Sequence, residues 1–113
     1  MLFRSAVVVG AALLNALKLV GKKIGDVRVV INGAGSAGIA IAKHLMNLGV
    51  QHMKLLNSAG ILCEGTRMNP VQAEMARITN PEKLSGDLAV ALKGADVMIG
   101  VSVPHIKIGR AHV

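Results

Sequence analysis

Apolar positions along the chain follow two periods in turn, one typical of strands and one typical of helices. The β-branched run at residues 27–31 predicts a buried strand, and the apolar spacing of residues 36–48 predicts a helix that ends before Gly49. Residues 53–56 predict a second strand, which completes a βαβ unit of about 30 residues with a right-handed crossover.

The flanking segments predict further helices and one more strand. Residues 6–19 are apolar almost all round and predict a helix buried against the sheet, which Gly21 ends. Asn69 and Pro70 predict the start of a helix over residues 71–78, and the segment from Ser85 to Asp87 offers a cap for a short helix to about residue 93. With a strand at residues 97–101, we expect an α/β fold whose truncated parallel three-stranded sheet is flanked by helices and has unpaired edges.

A glycine motif stands between the first strand and the helix that follows it. Gly33, Gly35 and Gly38 fit the pattern GxGxxG at the position that dinucleotide binding requires. Gly33 permits a tight turn, Gly35 lets the backbone approach a pyrophosphate, and Gly38 lets the helix pack closely on the strand. The N–H groups of Ser36 and Ala37 would then face phosphate. The motif in this setting predicts a Rossmann-like NAD(P)-binding fold.

The expected ribose position departs from the usual fingerprint. An acidic residue is expected about 20 residues beyond the motif, at the end of the second strand, and Asn57 stands there with Ser58 after it. An amide accepts a hydrogen bond from a ribose hydroxyl but carries no charge to repel a 2′-phosphate. The cofactor is therefore NAD or NADP, and tighter NAD binding by Asn57→Asp would support the ribose assignment. Arg67 could supply a cation for NADP, although a solvated side chain is the simpler interpretation.

Composition excludes several other classes of protein. The chain has 113 residues, the size of one domain, with 52% hydrophobic residues and a net charge of +7. The basic residues are scattered and Phe3 is the only aromatic, so nucleic acid is not an expected partner. Cys63 is the only cysteine, and the apolar stretch from residue 6 is broken at Asn15 before it could span a membrane. We expect a cytoplasmic chain without a membrane partner.

Both ends resemble non-native sequence. The final run IGRAHV at residues 108–113 is similar to the translation of a common sequencing-library adapter, and LFRS at residues 2–5 to its reverse complement. We therefore interpret residues 1–5 and 107–113 as non-native ends of a single domain at residues 6–106. Removing Arg4, Lys107 and Arg110 lowers the net charge from +7 to +4. Different codons at these positions in the nucleotide sequence would contradict this interpretation.

Several runs together resemble bacterial-type malic enzymes over about residues 6–106. They are AVVV at 6–9, LLNALK at 13–18, VVINGAG at 29–35, MNP at 68–70 and GVSVP at 100–104. The resemblance implies the NAD(P)-binding Rossmann domain fragment of an enzyme that decarboxylates malate oxidatively to pyruvate and CO2. It also implies a divalent metal, Mg or Mn, and a homo-oligomeric full-length enzyme.

The same resemblance implies which residues contact the cofactor. They are Gly33, Ala34, Gly35, Ser36, Ala37 and Gly38 at the pyrophosphate, Asn57 at the ribose, and Val101, Ser102 and Val103 near the cofactor at the end of the third strand. Ser58, which follows Asn57, could contact either sugar or phosphate. The family's metal-binding carboxylates and its catalytic tyrosine and lysine precede the position of Ala6, so no catalytic or metal-binding residue is expected here and the fragment itself should be inactive. The chain departs from the family at Asn57 and at His105.

Two other functions are compatible with the same residues. A glycine motif in a βαβ unit does not identify a substrate, so a related amino-acid or hydroxy-acid dehydrogenase remains an alternative. A non-catalytic module that senses a nucleotide is the second alternative. Asp96, which precedes the third strand, is most simply a turn residue and is not assigned a catalytic role.

Overall fold

The structure is a computed structural model that describes residues 2–63, 65, 67–80, 83–102 and 105–110. In chain order the elements are α1 (Leu2–Val20), β1 (Arg28–Asn32), α2 (Ser36–Leu48), β2 (His52–Asn57), β3 (Gly60–Ile61), α3 (Pro70–Ile78), α4 (Leu88–Leu92), β4 (Val97–Ser102) and β5 (His105–Arg110). The alternation of strands and helices confirms the predicted α/β class.

The three predicted strands form the parallel centre of the sheet, but the sheet has five strands rather than three. Their order is β3-β2-β1-β4-β5, with β1 parallel to both β2 and β4. β3 and β5 pair antiparallel with the outer members of this centre. The expectation that the parallel centre has unpaired edges was therefore wrong.

The two additional strands have different local causes. A turn after Asn57, in which Ala59 N donates to Asn57 Oδ1 at 2.8 Å, reverses the chain, and Gly60 adopts a φ of 126° as β3 begins. β5 lies beside β4 with Ser102 opposite His105 and Val97 opposite Arg110. Most of β5 falls in the residues that we interpreted as non-native, and for that reason we did not predict it.

The boundaries of the helices follow the predicted caps closely. α2 has the predicted bounds, and Gly49 ends it with a φ of 115°. Asn69 caps α3, where its side chain accepts from Gln72 N at 2.8 Å and Gln72 completes a capping box. Asp87 caps α4, which is shorter than predicted.

α1 packs along one face only, and mainly against α2 rather than against the sheet as predicted. Its buried residues follow helical spacing: Ala6, Val9, Leu13 and Leu17. On the opposite side, Val8 is 61% exposed and Leu19 is 81% exposed. Hydropathy alone did not separate the two faces because both carry apolar residues.

Side chains of the central strand enter two cores. Val29 and Ile31 of β1 join the larger core beneath α1 and α2, whereas Val30 points into a smaller core with Leu56 and Ala91. Both faces of the parallel centre are therefore covered, which explains its nearly continuous apolar strands. The carboxyl ends of β1, β2 and β4 remain open at one edge of the sheet.

Candidate functional site

A cleft of about 600 Å³ lies at the carboxyl ends of the parallel strands. β1 lies between β2 and β4, so the order of the parallel strands reverses at β1. Open α/β sheets bind ligands at the carboxyl ends of the strands where the order reverses in this way. The cleft brings together six residues predicted for the cofactor site: Gly33, Ala34, Gly35, Asn57, Ser58 and Val101. The described part of its lining carries no charged side chain.

The turn after β1 requires glycine at two positions because of the chain's own packing. Gly33 has a φ of 132°, and a Cβ there would overlap the carbonyl oxygen of Val101. A Cβ at Gly38 would overlap the carbonyl oxygen of Gly33 and lie 2.9 Å from its carbonyl carbon. Gly38 therefore allows the first turn of α2 to approach the strand, as the motif predicted.

Gly35 differs from the other two glycines of the motif. Its φ of −80° and ψ of −169° are open to any residue, and no atom lies within 4 Å of the place where a Cβ would stand. Nothing in the described chain explains a glycine here. The position faces the open cleft, so a ligand that approaches the backbone would explain it.

The N-terminus of α2 meets the cleft at Gly35. The first helical hydrogen bond runs from Ile39 N to Gly35 O at 3.0 Å, and no side chain caps the helix. Ser36 and Ala37 follow Gly35 in the first turn, where helix N–H groups have no intrahelical acceptor. These groups and the positive end of the helix dipole suit an anionic ligand.

Asn57 lies at the carboxyl end of β2, as predicted, and its amide makes three hydrogen bonds. Nδ2 donates to Arg67 O at 2.6 Å and to Gln72 Oε1 at 3.1 Å, while Oδ1 accepts from Ala59 N. An aspartate could not donate to either oxygen. Asn57→Asp would therefore break this network, so its effect on NAD binding would combine that loss with any gain at the ribose.

Sequence reasoning missed four residues that line the cleft: Asn32, Leu56, Gln72 and Gly100. Gln72 is the most informative, since its Nε2 donates to the carbonyl of Ala34 inside the glycine turn at 2.9 Å. The only sequence signal for it was its place three residues after the cap Asn69. That spacing predicts a helix start and gives no indication of the distant contact.

Val101 and Ser102 lie at the end of the third strand, and Arg67 lies between β3 and α3. Val101 is half-buried and lines the cleft, and the backbone of Ser102 ends β4. Val103 lies outside the described residues. Arg67 is exposed, and its carbonyl oxygen holds Asn57.

Asp96 lies at the opposite edge of the sheet, where β4 begins. Its carboxylate accepts from Arg28 N at 2.9 Å and pairs with Lys22 Nζ at 2.8 Å. Burial raises the pKa of Asp96, but the hydrogen bonds and charges of Lys22 and Arg28 outweigh burial and lower the pKa below 3.8. This role is structural.

Cys63 is buried near the end of β3. Across the residues with described placement, no group of three or more histidine, cysteine, aspartate or glutamate side chains could hold a metal ion. No helix within the described ranges has both the length and the hydropathy to cross a membrane.

The family model for the malic enzyme NAD-binding domain matches residues 4–105. The chain is 47% identical to the NAD-dependent malic enzyme of Geobacillus stearothermophilus over 90% of this chain and 22% of that protein. It is 36% identical to the NADP-dependent malic enzyme of Haemophilus influenzae over 87% of this chain and 13% of that protein.

A solved structure agrees with these sequence matches. The crystal structure of the NAD-dependent malic enzyme from Thermotoga maritima superposes with a TM-score of 0.83 at 56% identity, covering 87% of this chain and 27% of that one. The chain thus spans between 13% and 27% of the length of these relatives. It belongs to the malic enzyme NAD-binding domain family.

Proposed function

We propose that this chain is the NAD(P)-binding part of a malic enzyme that converts malate to pyruvate and CO2 with reduction of the nicotinamide. The observation that carries the proposal is the uncharged cleft with the glycine turn and the start of α2 at its wall, in a chain of this family. Membership of the family favours this function over another hydroxy-acid or amino-acid dehydrogenase and over a nucleotide-sensing module.

The cleft suggests a role for each predicted site residue. The turn from Gly33 to Gly38 would bind the pyrophosphate, because Gly35 leaves open space and the first turn of α2 presents N–H groups there. Asn57 and Ser58 would border the adenosine ribose at the end of β2, and Val101, Ser102 and Val103 would border the cofactor beyond β4.

Cofactor and chain would divide the work of the reaction. The nicotinamide of a bound cofactor would supply the hydride acceptor, and this chain's residues would bind and orient it. A divalent metal, Mg or Mn, belongs to the proposed full-length enzyme, but the described residues offer no ligand cluster, so we assign this chain no step that involves a metal. We therefore expect these 113 residues alone not to oxidise malate.

Three further properties of the protein belong to the same proposal. The full-length enzyme would be a cytoplasmic homo-oligomer, and its partners would be malate and the cofactor, without nucleic acid or membrane. Residues 1–5 and 107–113 would be non-native.

Calorimetric titration of the 113-residue chain with NAD and with NADP tests the proposal, once circular dichroism has shown that the chain is folded. We expect saturable binding of at least one of them at one site, with Kd in the range of about 1 μM to 1 mM that is usual for enzyme substrates. A folded chain that binds neither would refute the proposal. Titration with malate alone, where we expect no heat of binding, is the control.

A further inference from the structure

Gln72 connects three parts of the cleft wall through one side-chain amide. Its Nε2 donates to Ala34 O at 2.9 Å, and its Oε1 accepts from Asn57 Nδ2 at 3.1 Å and from Asn69 N at 3.3 Å. The glycine turn, the end of β2 and the start of α3 therefore meet at this residue.

Backbone groups fix the direction of this network. The carbonyl of Ala34 can only accept and the N–H of Asn69 can only donate, so the Gln72 amide has one orientation that satisfies both. Its Oε1 then faces position 57 and requires a donor there. The carbonyl of Arg67, 2.6 Å from Asn57 Nδ2, requires a donor at the same place.

Asparagine meets both requirements, and an acid meets neither. Nδ2 of Asn57 has two hydrogens, one for Gln72 Oε1 and one for Arg67 O. The carboxylate of an aspartate would instead place negative oxygen against these two acceptors, with repulsion added to the loss of two hydrogen bonds. Gln72 thus selects an uncharged residue at the position where the fingerprint expects an acid.

An amide rather than an acid at position 57 determines the charge of the cleft beside the proposed ribose position. With Asn57 in place the described lining carries no acid, and the exposed Ser58 borders the same corner. A 2′-phosphate would meet no negative side chain there, whereas a ribose hydroxyl could still donate to the second lone pair of Asn57 Oδ1.

We propose that Gln72 is a specificity-determining positioning residue, which keeps position 57 an uncharged amide and so lets the site accept NADP as well as NAD. The inference rests on the proposed function, since it assigns the cofactor's ribose to this corner. Gln72 acts through Asn57 and need not touch the cofactor itself.

Exchanging donor and acceptor between Gln72 and Asn57 tests the proposal. In Gln72→Lys the ammonium can only donate, so it can bond Ala34 O but meets another donor, Nδ2, at Asn57. In Asn57→Asp the carboxylate can only accept, so it meets another acceptor, Oε1, at Gln72. The double variant pairs the two new groups. Gln51→Lys is the matched control, because Gln51 is exposed just before β2, at the edge of the sheet away from the cleft.

NAD and NADP are titrated against all five proteins. We expect the wild-type chain to bind both within about fivefold of each other. Each single variant at the pair should bind both about tenfold more weakly, as the loss of one or two hydrogen bonds at the cleft wall predicts. The double variant should bind NAD about threefold more tightly than either single variant, without full recovery because Arg67 O still faces a carboxylate. It should bind NADP at least about tenfold more weakly than the wild type, because the carboxylate repels the 2′-phosphate. Gln51→Lys should match the wild type.

Three results would overturn the inference. They are a double variant no tighter for NAD than the single variants, a double variant with the wild-type ratio of NADP to NAD affinity, and an Asn57→Asp variant that alone gains selectivity for NAD at undiminished affinity. Melting temperatures without cofactor give a second readout, in which the double variant should be more stable than either single variant. If the folded wild-type chain binds neither dinucleotide, both the proposed function and the claim about cofactor choice fail. A higher melting temperature of the double variant than of either single variant would in that case still show that Gln72 selects the residue at position 57.

Discussion

Two glycines of the same motif should respond in opposite ways to the same substitution. A Cβ at Gly38 would overlap the carbonyl oxygen of Gly33. Relief would require a shift of the backbone at Gly33 or of α2 at Gly38, since no flexible side chain is involved in this overlap. Beyond its chain neighbours, a Cβ at Gly35 would meet no atom of the described residues within 4 Å. We therefore expect Gly38→Ala to lose stability without regard to cofactor, and Gly35→Ala to lose cofactor binding without loss of stability.

The expected magnitudes follow from the surroundings of each glycine. Overpacking against backbone at Gly38 should cost about 3 kcal/mol of unfolding free energy, which lowers the melting temperature by about 10 to 20 °C in a domain of this size. At Gly35, alanine restricts the unfolded chain by about 0.5 kcal/mol but is a poorer N-cap by a similar amount. The melting temperature should therefore stay within about 3 °C of the wild type.

Binding should separate the two variants further. At Gly35 the new methyl group would occupy the space through which a pyrophosphate approaches the backbone, and we expect Kd for both dinucleotides to rise at least about tenfold, or 1.4 kcal/mol. Gly25→Ala is the control, because a Cβ there makes only ordinary contact with Gln51 at 3.6 Å, far from the cleft. It should change neither quantity.

The assay combines thermal unfolding by circular dichroism with calorimetric titration of the same samples. A Gly38→Ala chain as stable as the wild type would show that α2 does not approach the strand as closely as the structure places it. A Gly35→Ala chain with undiminished affinity would show that the cofactor does not pass over the glycine turn at that position. Either result would refute the part of the reasoning it addresses.

Substitutions at three further places test other parts of the fold by thermal unfolding. Leu13→Ala should cost about 3 kcal/mol because Leu13 is 3% exposed, whereas Leu19→Ala, at a position 81% exposed, should cost almost nothing; equal losses would contradict the orientation of α1. Asp96→Asn should lower the free energy of unfolding by at most about 1 kcal/mol at neutral pH. Because the folded state lowers the pKa of Asp96, only the ionised carboxyl is stabilised, so the difference from wild type should disappear as the pH falls from 3.8 through the lowered pKa. A difference that persists in acid would contradict the ion pair. Asn80→Ala should cost about 2 to 3 kcal/mol because the buried Asn80 side chain bonds both backbone groups of Leu84. Asn80 also has a φ of 50°, which glycine adopts more easily than alanine, so Asn80→Gly should recover part of this loss. No recovery would show that this φ carries no strain.

The parts of the fold that sequence predicted well are those with local causes. The β-branched run of β1, the caps Asn69 and Asp87 and the terminating Gly49 act within a few residues, so their effect can be inferred from spacing. The same holds for the end of α1, where Gly21 adopts a φ of 71° before Lys22 N donates back to Leu17 O at 3.1 Å.

The parts that it did not predict depend on distant contacts. β3 has only two residues, and Ile61 N donates to Gly86 O, 25 positions further along the chain, so no local pattern identifies it. The two faces of α1 carry similar residues and are distinguished only by the position of α2. Gln72 joined the site because α3 carries it back to Ala34, a contact between residues 38 positions apart.

The glycine motif itself combines requirements of two kinds, which limits what its pattern can establish. Gly33 and Gly38 are required by Val101 and by the approach of α2, whether or not a nucleotide binds. A protein that had lost the ligand would still need both of these glycines to fold in this way. Gly35 has no such requirement within the described chain, so its retention is the feature of the motif that indicates a ligand. The distinction comes from the open space at that position, which only the structure shows.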